Sequence, residues 1–233
     1  MLILLSPSKT MSWVTPHPPE SSPPLLDRAL PLAESLRAES PASLARWMKL
    51  SPPLAAATHA DIQSWTPEGR GAALFAYTGE AFKSLDAPTL PPDALALAQR
   101  RLRVLSGLYG ALRPLDAICP YRLEAASRPP HTPSGLYAYW RERVTDHLNE
   151  EIEREGCELV LNLASQEYSA LIDPSALRAP LLTPDLSVTD PSGARRVVGV
   201  YAKRARGLIA RHALLRGIAS REAAEALCLE LSP

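Results

Sequence analysis

The sequence predicts a mixed α/β (α+β) fold, and three observations carry that prediction. The chain has 233 residues, enough for one compact domain, since domains mostly run about 100–150 residues. Its apolar share of 46% is that of an ordinary globular chain and supplies a sizeable core. Short apolar runs alternate with helical segments, with no internal repeat and no low-complexity boundary, so residues 1–233 read as a single domain.

The first element is Leu2–Leu5, an apolar run ending at Ser6-Pro7-Ser8-Lys9, which reads as a buried strand followed by a turn. Residues 15–24 hold Pro16, Pro18, Pro19, Pro23 and Pro24, and proline denies this stretch both helix and central strand. Residues 25–37 and 41–50 then read as helices, the second with Ser40 as N-cap and Pro41 at the first helical position. A further helix is expected after a turn at Leu50-Ser51-Pro52-Pro53. Residues 72–77 read as a strand leading into Gly79-Glu80-Ala81-Phe82. Asp93 is the expected cap of a helix reaching Arg101, and residues 104–110 fit strand or helix equally. The strongest helix covers residues 136–155: Leu136, Trp140, Val144, Leu148 and Ile152 recur every four positions, and Gly156 ends it. Residues 158–163 and 197–201 read as strands, the latter followed at once by a helix over 202–216.

Composition removes several classes of function. No apolar run approaches the roughly 20 residues of a membrane helix, and the N-terminus lacks the basic flank of a signal peptide. Cys119, Cys157 and Cys228 stand far apart, which argues against a disulfide framework or a Cys-rich metal site and for a reducing cytoplasm. The five histidines show no H-x-x-x-H spacing, and no G-x-S-x-G, Walker or dinucleotide-binding glycine motif occurs. No cofactor is therefore expected.

The formal net charge is zero, from 25 basic and 25 acidic residues. That zero is a cancellation between segments. Residues 195–221 hold eight bases and no acid, residues 100–143 eight arginines and three acids, and residues 144–194 ten acids and two bases. On a helical wheel over 202–216, Ala205, Leu208, Ile209, His212 and Leu215 share one side. Lys203, Arg204, Arg206 and Arg211 share the other, with Gly207 among them as a place where a phosphate could near the backbone. A solvated face, or one paired with the acids of 144–194, is the competing reading.

Two polar clusters could carry chemistry. In Leu105-Ser-Gly-Leu-Tyr-Gly-Ala-Leu-Arg-Pro-Leu-Asp116, Gly107 and Gly110 permit a turn whose amides could face an anion. Tyr109, Arg113, Tyr121 and Arg122 add phosphate donors and stacking rings, and Glu124 follows in Pro120-Tyr-Arg-Leu-Glu124. The second cluster, Asn162-Leu-Ala-Ser-Gln-Glu-Tyr168, follows a strand end, where ligand sites concentrate, although Ser165 also suits a helix cap. Ser6, Ser8 and Lys9 follow the first strand in the same way.

These segments, with Met1-Leu-Ile-Leu-Leu-Ser-Pro-Ser-Lys-Thr-Met11 and Ala202-Lys-Arg-Ala-Arg-Gly-Leu208, resemble in order the signature segments of the YaaA family of bacterial peroxide-stress proteins. The resemblance implies a single mixed α/β domain of unusual topology with a basic cleft and a helix-hairpin-helix-like element. It also implies double-stranded DNA binding and protection against peroxide linked to limiting free iron. The hairpin maps to residues 41–50, the Ser51-Pro52-Pro53 turn and the helix beyond it. Because the two prolines remove amide donors, the arginine-rich segments are expected to contribute more. The chain departs from the family at Gly79-Glu80-Ala81-Phe82, where a Gly-Asp-Val-Tyr run is common, and at Ala125, where methionine is usual.

Three readings follow. The first is a cytoplasmic DNA-binding stress protein, expected to be monomeric and free of the membrane, contacting phosphates through Lys9, Tyr109, Arg113, Tyr121, Arg122, Asn162, Ser165, Lys203, Arg204, Arg206 and Arg211. The second is an enzyme on a nucleotide, nucleobase or nucleic acid, with Glu124 or Glu167 as general base and Arg113 or Arg122 stabilising an anion. It requires those side chains to meet in one pocket. The third, direct iron binding, has no carboxylate–histidine spacing behind it, and no metal ligand is assigned.

Overall fold

The computed structural model describes residues 1–13, 16–189 and 195–232; Thr15, at the start of the proline-rich loop, lies outside them. Strand β1 (Leu2–Leu5) is wholly buried, as a four-residue apolar run between two parallel neighbours requires. Helices α1 (Leu26–Arg37), α2 (Pro41–Met48) and α3 (Pro52–Gln63) follow. The Ser40 hydroxyl accepts a hydrogen bond from the Ser43 amide, the expected N-cap. The α2–α3 boundary comes two residues earlier than expected, α2 ending at Met48 and α3 starting at Pro52. Lys49 closes α2 in the left-handed region at φ 54°, and Pro52 and Pro53 begin α3, where proline's fixed φ suits the first turn.

Residues 72–77 do not form the expected strand. Only β2 (Gly71–Ala72) is extended, and α4 (Ala73–Ala76) is a single helical turn. Periodicity cannot separate strand from buried helix in a short apolar run, and here the Ala73 and Leu74 amides donate to Asp116 and Pro114 carbonyls across the loop. Helix α5 (Glu80–Leu85) and α6 (Pro92–Arg101) come next. Pro91, not Asp93, occupies the N-cap of α6. Asp93 lies inside the first turn, where a carboxylate favours the helix dipole. The ambiguous stretch is β3 (Leu102–Ser106), a turn, and β4 (Gly110–Leu112), followed by β5 (Ala117–Ile118).

Helix α7 (Gly135–Arg154) buries Leu136, Trp140, Val144, Leu148 and Ile152 on one face, and Gly156 follows it at φ +58°. Strand β6 (Val160–Leu163), the one-turn helix α8 (Gln166–Ser169) and the short strands β7 (Leu181–Leu182), β8 (Val188–Thr189) and β9 (Arg195–Arg196) lead to α9 (Gly199–Leu215) and α10 (Arg221–Leu231). The strand expected over 197–201 does not form: Val197 is 64% exposed with no ladder partner among the described residues, and α9 begins at Gly199.

The main sheet has the order β4-β3-β1-β6-β7, with β1 parallel to both β3 and β6. Only β4 runs antiparallel, against β3. Because β1 continues to β3 on one side and β6 pairs on the other, the loops leaving β1 and β6 part at their carboxyl ends. Such a reversal of strand order opens a crevice where ligands of α/β proteins bind. The buried apolar side chains of the sheet and of the helices around it form one continuous core.

Candidate functional site

The crevice is closed at its base by two serines. Ser6, just past β1, accepts a hydrogen bond from the Ser165 amide at 2.8 Å and donates from its hydroxyl to Ser165 Oγ at 3.2 Å. Ser165 occupies the N-cap position of α8, but its side chain caps nothing; its polar atoms tie the two strand ends together. Beyond this link, Ser8 and Lys9, the Tyr121–Glu124 segment and Tyr168 of α8 line a recess of about 20 Å³, room for roughly one water molecule.

Lys9 Nζ lies 2.6 Å from Glu124 Oε1, and Arg122 Nη1 lies 3.9 Å from the same oxygen. Two cations thus share one carboxylate. Asp61 on α3 also faces Arg122; burial raises its pKa, offset in part by the charges of Arg122 and Arg70. Glu167 stands beside the recess and accepts from the Ala126 amide at 3.3 Å. The floor is rigid. The Tyr121 hydroxyl is 2.7 Å from both Tyr77 Oη and Ser106 Oγ, in a buried chain of three hydroxyls. Burial, partly offset by those two hydrogen bonds, pushes the Tyr121 phenol up to about 12. Tyr168 is raised as well, first by burial and then by Tyr121, Glu167 and Glu124.

Three of the expected site residues are occupied elsewhere in the structure. Tyr109 is buried, accepting from Trp65 Nε1 at 2.7 Å and from the Cys119 amide at 3.0 Å. Arg113 pairs with the buried Asp116 at 2.9 Å and donates to the Ser22 carbonyl, so it clamps the proline-rich loop. Asn162 donates to Thr183 and accepts from the Ala164 amide. The Gly107–Gly110 turn does not face an anion either: the Leu108 and Tyr109 amides donate to Ser106 Oγ, and the turn is buried. Its glycines serve close packing. A Cβ on Gly107 would fall 2.3 Å from the Leu123 carbonyl oxygen, and Gly110 stands at φ +73° against Trp140.

Helix α9 also differs from its wheel. Leu208 and Leu215 are exposed, while Gly207 is buried against α5, its missing Cβ leaving room for the Ala81 carbonyl. The Ala81 carbonyl of α5 therefore fills the space where the sequence suggested a phosphate could near the backbone. Arg204 pairs with Glu80 at 2.8 Å, holding that carboxyl below its usual range. Arg211 donates to the Leu85 and Asp86 carbonyls at the end of α5. Arg195, Arg216 and Arg221 pair with Asp185, Glu230 and Glu225. Lys203 and Arg206 have no acidic partner among the described residues, and burial lowers the pKa of the Arg206 guanidinium. The start of α5 borders the recess: a Cβ on Gly79 would touch Ser8 Oγ, and the next residue, Glu80, reaches across to Arg204 of α9.

Sequence reasoning missed Tyr77, Ser106 and Tyr168 as parts of the site. Tyr168 stands in the same motif as Ser165 and Glu167, a usable signal. Tyr77 had none, because its phenol meets Tyr121 across 44 positions of chain. Among the described residues no group of three or more His, Cys, Asp or Glu side chains is placed to hold a metal ion, and no helix is long and apolar enough to cross a membrane.

Comparison with known proteins gives a consistent picture. The family model described as peroxide stress protein YaaA matches residues 1–230. The UPF0246 protein of Janthinobacterium sp. (strain Marseille) is 40% identical over 225 residues, covering 94% of this chain and 87% of that protein. That of Shewanella pealeana is 40% identical over 230 residues, covering 96% and 89%. That of Verminephrobacter eiseniae is 41% identical over 223 residues, covering 92% and 85%.

Proposed function

Because this chain belongs to the peroxide stress protein YaaA family, we propose that it acts in the peroxide stress response by binding the phosphate backbone of double-stranded DNA. One observation carries the reading. Lys203 and Arg206 on α9 have no acidic partner among the described residues, whereas Arg204 between them and Arg216 and Arg221 beyond are neutralised by glutamates. Cations without a counter-charge release condensed counterions when they meet phosphates, which makes binding favourable and salt-dependent. Lys203 is exposed and Arg206 half-buried on α9, and Lys9 and Arg122 offer separate phosphate contacts at the recess. The α2–α3 pair contributes less, since Pro52 and Pro53 remove two amide donors at its turn. On this reading the protein protects DNA from oxidative damage, and its association with limited free iron is indirect. The protein acts as a cytoplasmic monomer on this reading. Its test is duplex affinity across a salt series: a steep fall with rising salt supports it, and affinity indifferent to salt overturns it.

A second reading, processing of a nucleotide or nucleic acid, is favoured by the convergence of Lys9, Tyr121, Arg122, Glu124 and Tyr168 on one recess. On this reading Glu124 acts as general base and Arg122 stabilises an anion. Turnover of nucleotide or DNA substrates that disappears in Glu124→Gln supports it; no turnover of either by the native protein removes it.

A further inference from the structure

The recess at the carboxyl ends of β1 and β6 has a charge arrangement that selects among phosphates. Of its lining residues, Lys9 and Arg122 are cationic and Glu124 is the shared counter-ion. Space for about one water is left while the Lys9–Glu124 pair is closed. Lys9 is 60% exposed, so it can swing outward, whereas the Tyr121 floor is held by Tyr77 and Ser106. An incoming phosphodiester, with one negative charge, brings the two cations no more charge than Glu124 already supplies. A phosphomonoester carries about 1.5 to 2 negative charges near neutral pH and offers the Arg122 fork two oxygens at once. It therefore displaces Glu124 with a net electrostatic gain.

We propose that this recess is a phosphomonoester site, latched in the empty protein by the Lys9–Glu124 ion pair and opened when a terminal phosphate takes both cations. The ligand is either a free mononucleotide or the phosphate at a broken end of a nucleic-acid strand, which share this chemistry. Asp61, also facing Arg122, tempers the site's positive charge. The proposal rests on the recess, not on the α9 surface that carries DNA binding above.

Calorimetric titration with methyl phosphate and dimethyl phosphate tests it on the full chain. Methyl phosphate is expected to bind at least about tenfold more tightly, with Lys9→Ala and Arg122→Ala each losing about tenfold. Glu124→Gln is expected to bind methyl phosphate several-fold more tightly than the native protein, because the competing negative charge is gone. A gain of affinity cannot come from misfolding. Equal affinity for the two esters, or weaker binding by Glu124→Gln, overturns the proposal. Titrations with dAMP and with nicked duplexes bearing a 3′-phosphate or a 3′-hydroxyl separate the sources. Preference for the phosphorylated nick assigns the site to strand ends, binding of dAMP alone assigns it to nucleotides, and binding of neither overturns it. Lys203→Glu with Arg206→Glu should weaken intact-duplex binding and leave methyl phosphate affinity unchanged, so the two readings fail separately.

Discussion

Arg103 of β3 donates from Nε and Nη2 to the two carboxylate oxygens of Glu151 on α7, and both side chains are shut off from solvent. This pair joins a central strand of the sheet to the longest helix. Burial alone would raise the Glu151 carboxyl, but His147 and Arg103 more than reverse that and hold it at about 2. The carboxylate therefore stabilises the fold above its unfolded pKa near 4.5, and that contribution is lost as pH falls toward 2. Glu151→Ala, which leaves a buried guanidinium unpaired, is expected to cost about 3–5 kcal/mol. Urea denaturation of both proteins between about pH 6 and pH 3 checks this: the native protein should weaken with acid, the variant much less.

Helices α5 and α9 touch backbone to helix face at Gly207, where an added Cβ would stand 2.0 Å from the Ala81 carbonyl oxygen. Gly207→Ala is therefore expected to push the helices apart and cost about 1–3 kcal/mol. Gly199→Ala, in open space at the start of the same helix, is expected to be neutral or to stabilise by up to about 1 kcal/mol. Thermal melts of the two variants should move apart; equal shifts would contradict the packing argument.

On the proposed DNA surface, Lys203→Glu with Arg206→Glu should weaken duplex binding for every sequence. The slope of log affinity against log salt should shrink by about 1.8, two phosphate contacts at about 0.9 each. Arg216→Glu, whose partner is Glu230 rather than a phosphate, should leave that slope unchanged.

Cys119, Cys157 and Cys228 are all buried and unpaired, and burial raises the Cys228 thiol. Peroxide and thiol reagents attack exposed thiolates. The native protein is accordingly expected to react slowly with a chromogenic disulfide reagent, with all three thiols reacting quickly once denatured. A fast-reacting thiol in the native protein would point instead to a redox-sensing role.

What local pattern can report was readable before the structure. The four-residue recurrence of Leu136 through Ile152 announced α7, and Ser40 with Pro41 announced α2, since periodicity and caps act within one or two turns. Where a run was short and uniformly apolar, as over 72–77, sequence could not separate a strand from a buried turn of helix. The valines before α9 promised a strand, but they have no ladder partner among the described residues.

The sequence by itself determined the mixed α/β class, the long helices and the polar segments gathered after the strands, because these follow from composition and spacing along the chain. Only the tertiary structure decided which polar residues stand ready for a ligand. Arg113 and Arg122 have the same chemistry, yet Arg113 is held by the buried Asp116 and the Ser22 carbonyl, while Arg122 lines the recess with Lys9 and Glu124. The Tyr109 and Tyr121 hydroxyls are both taken up by buried partners, and only Tyr121 is part of the recess floor. Arg204 and Arg206 stand two positions apart, and the one is neutralised by Glu80, 124 residues away in sequence, while the other has no acidic partner among the described residues. Whether a charge is free is a property of its neighbours in space, and chain order does not encode those neighbours locally.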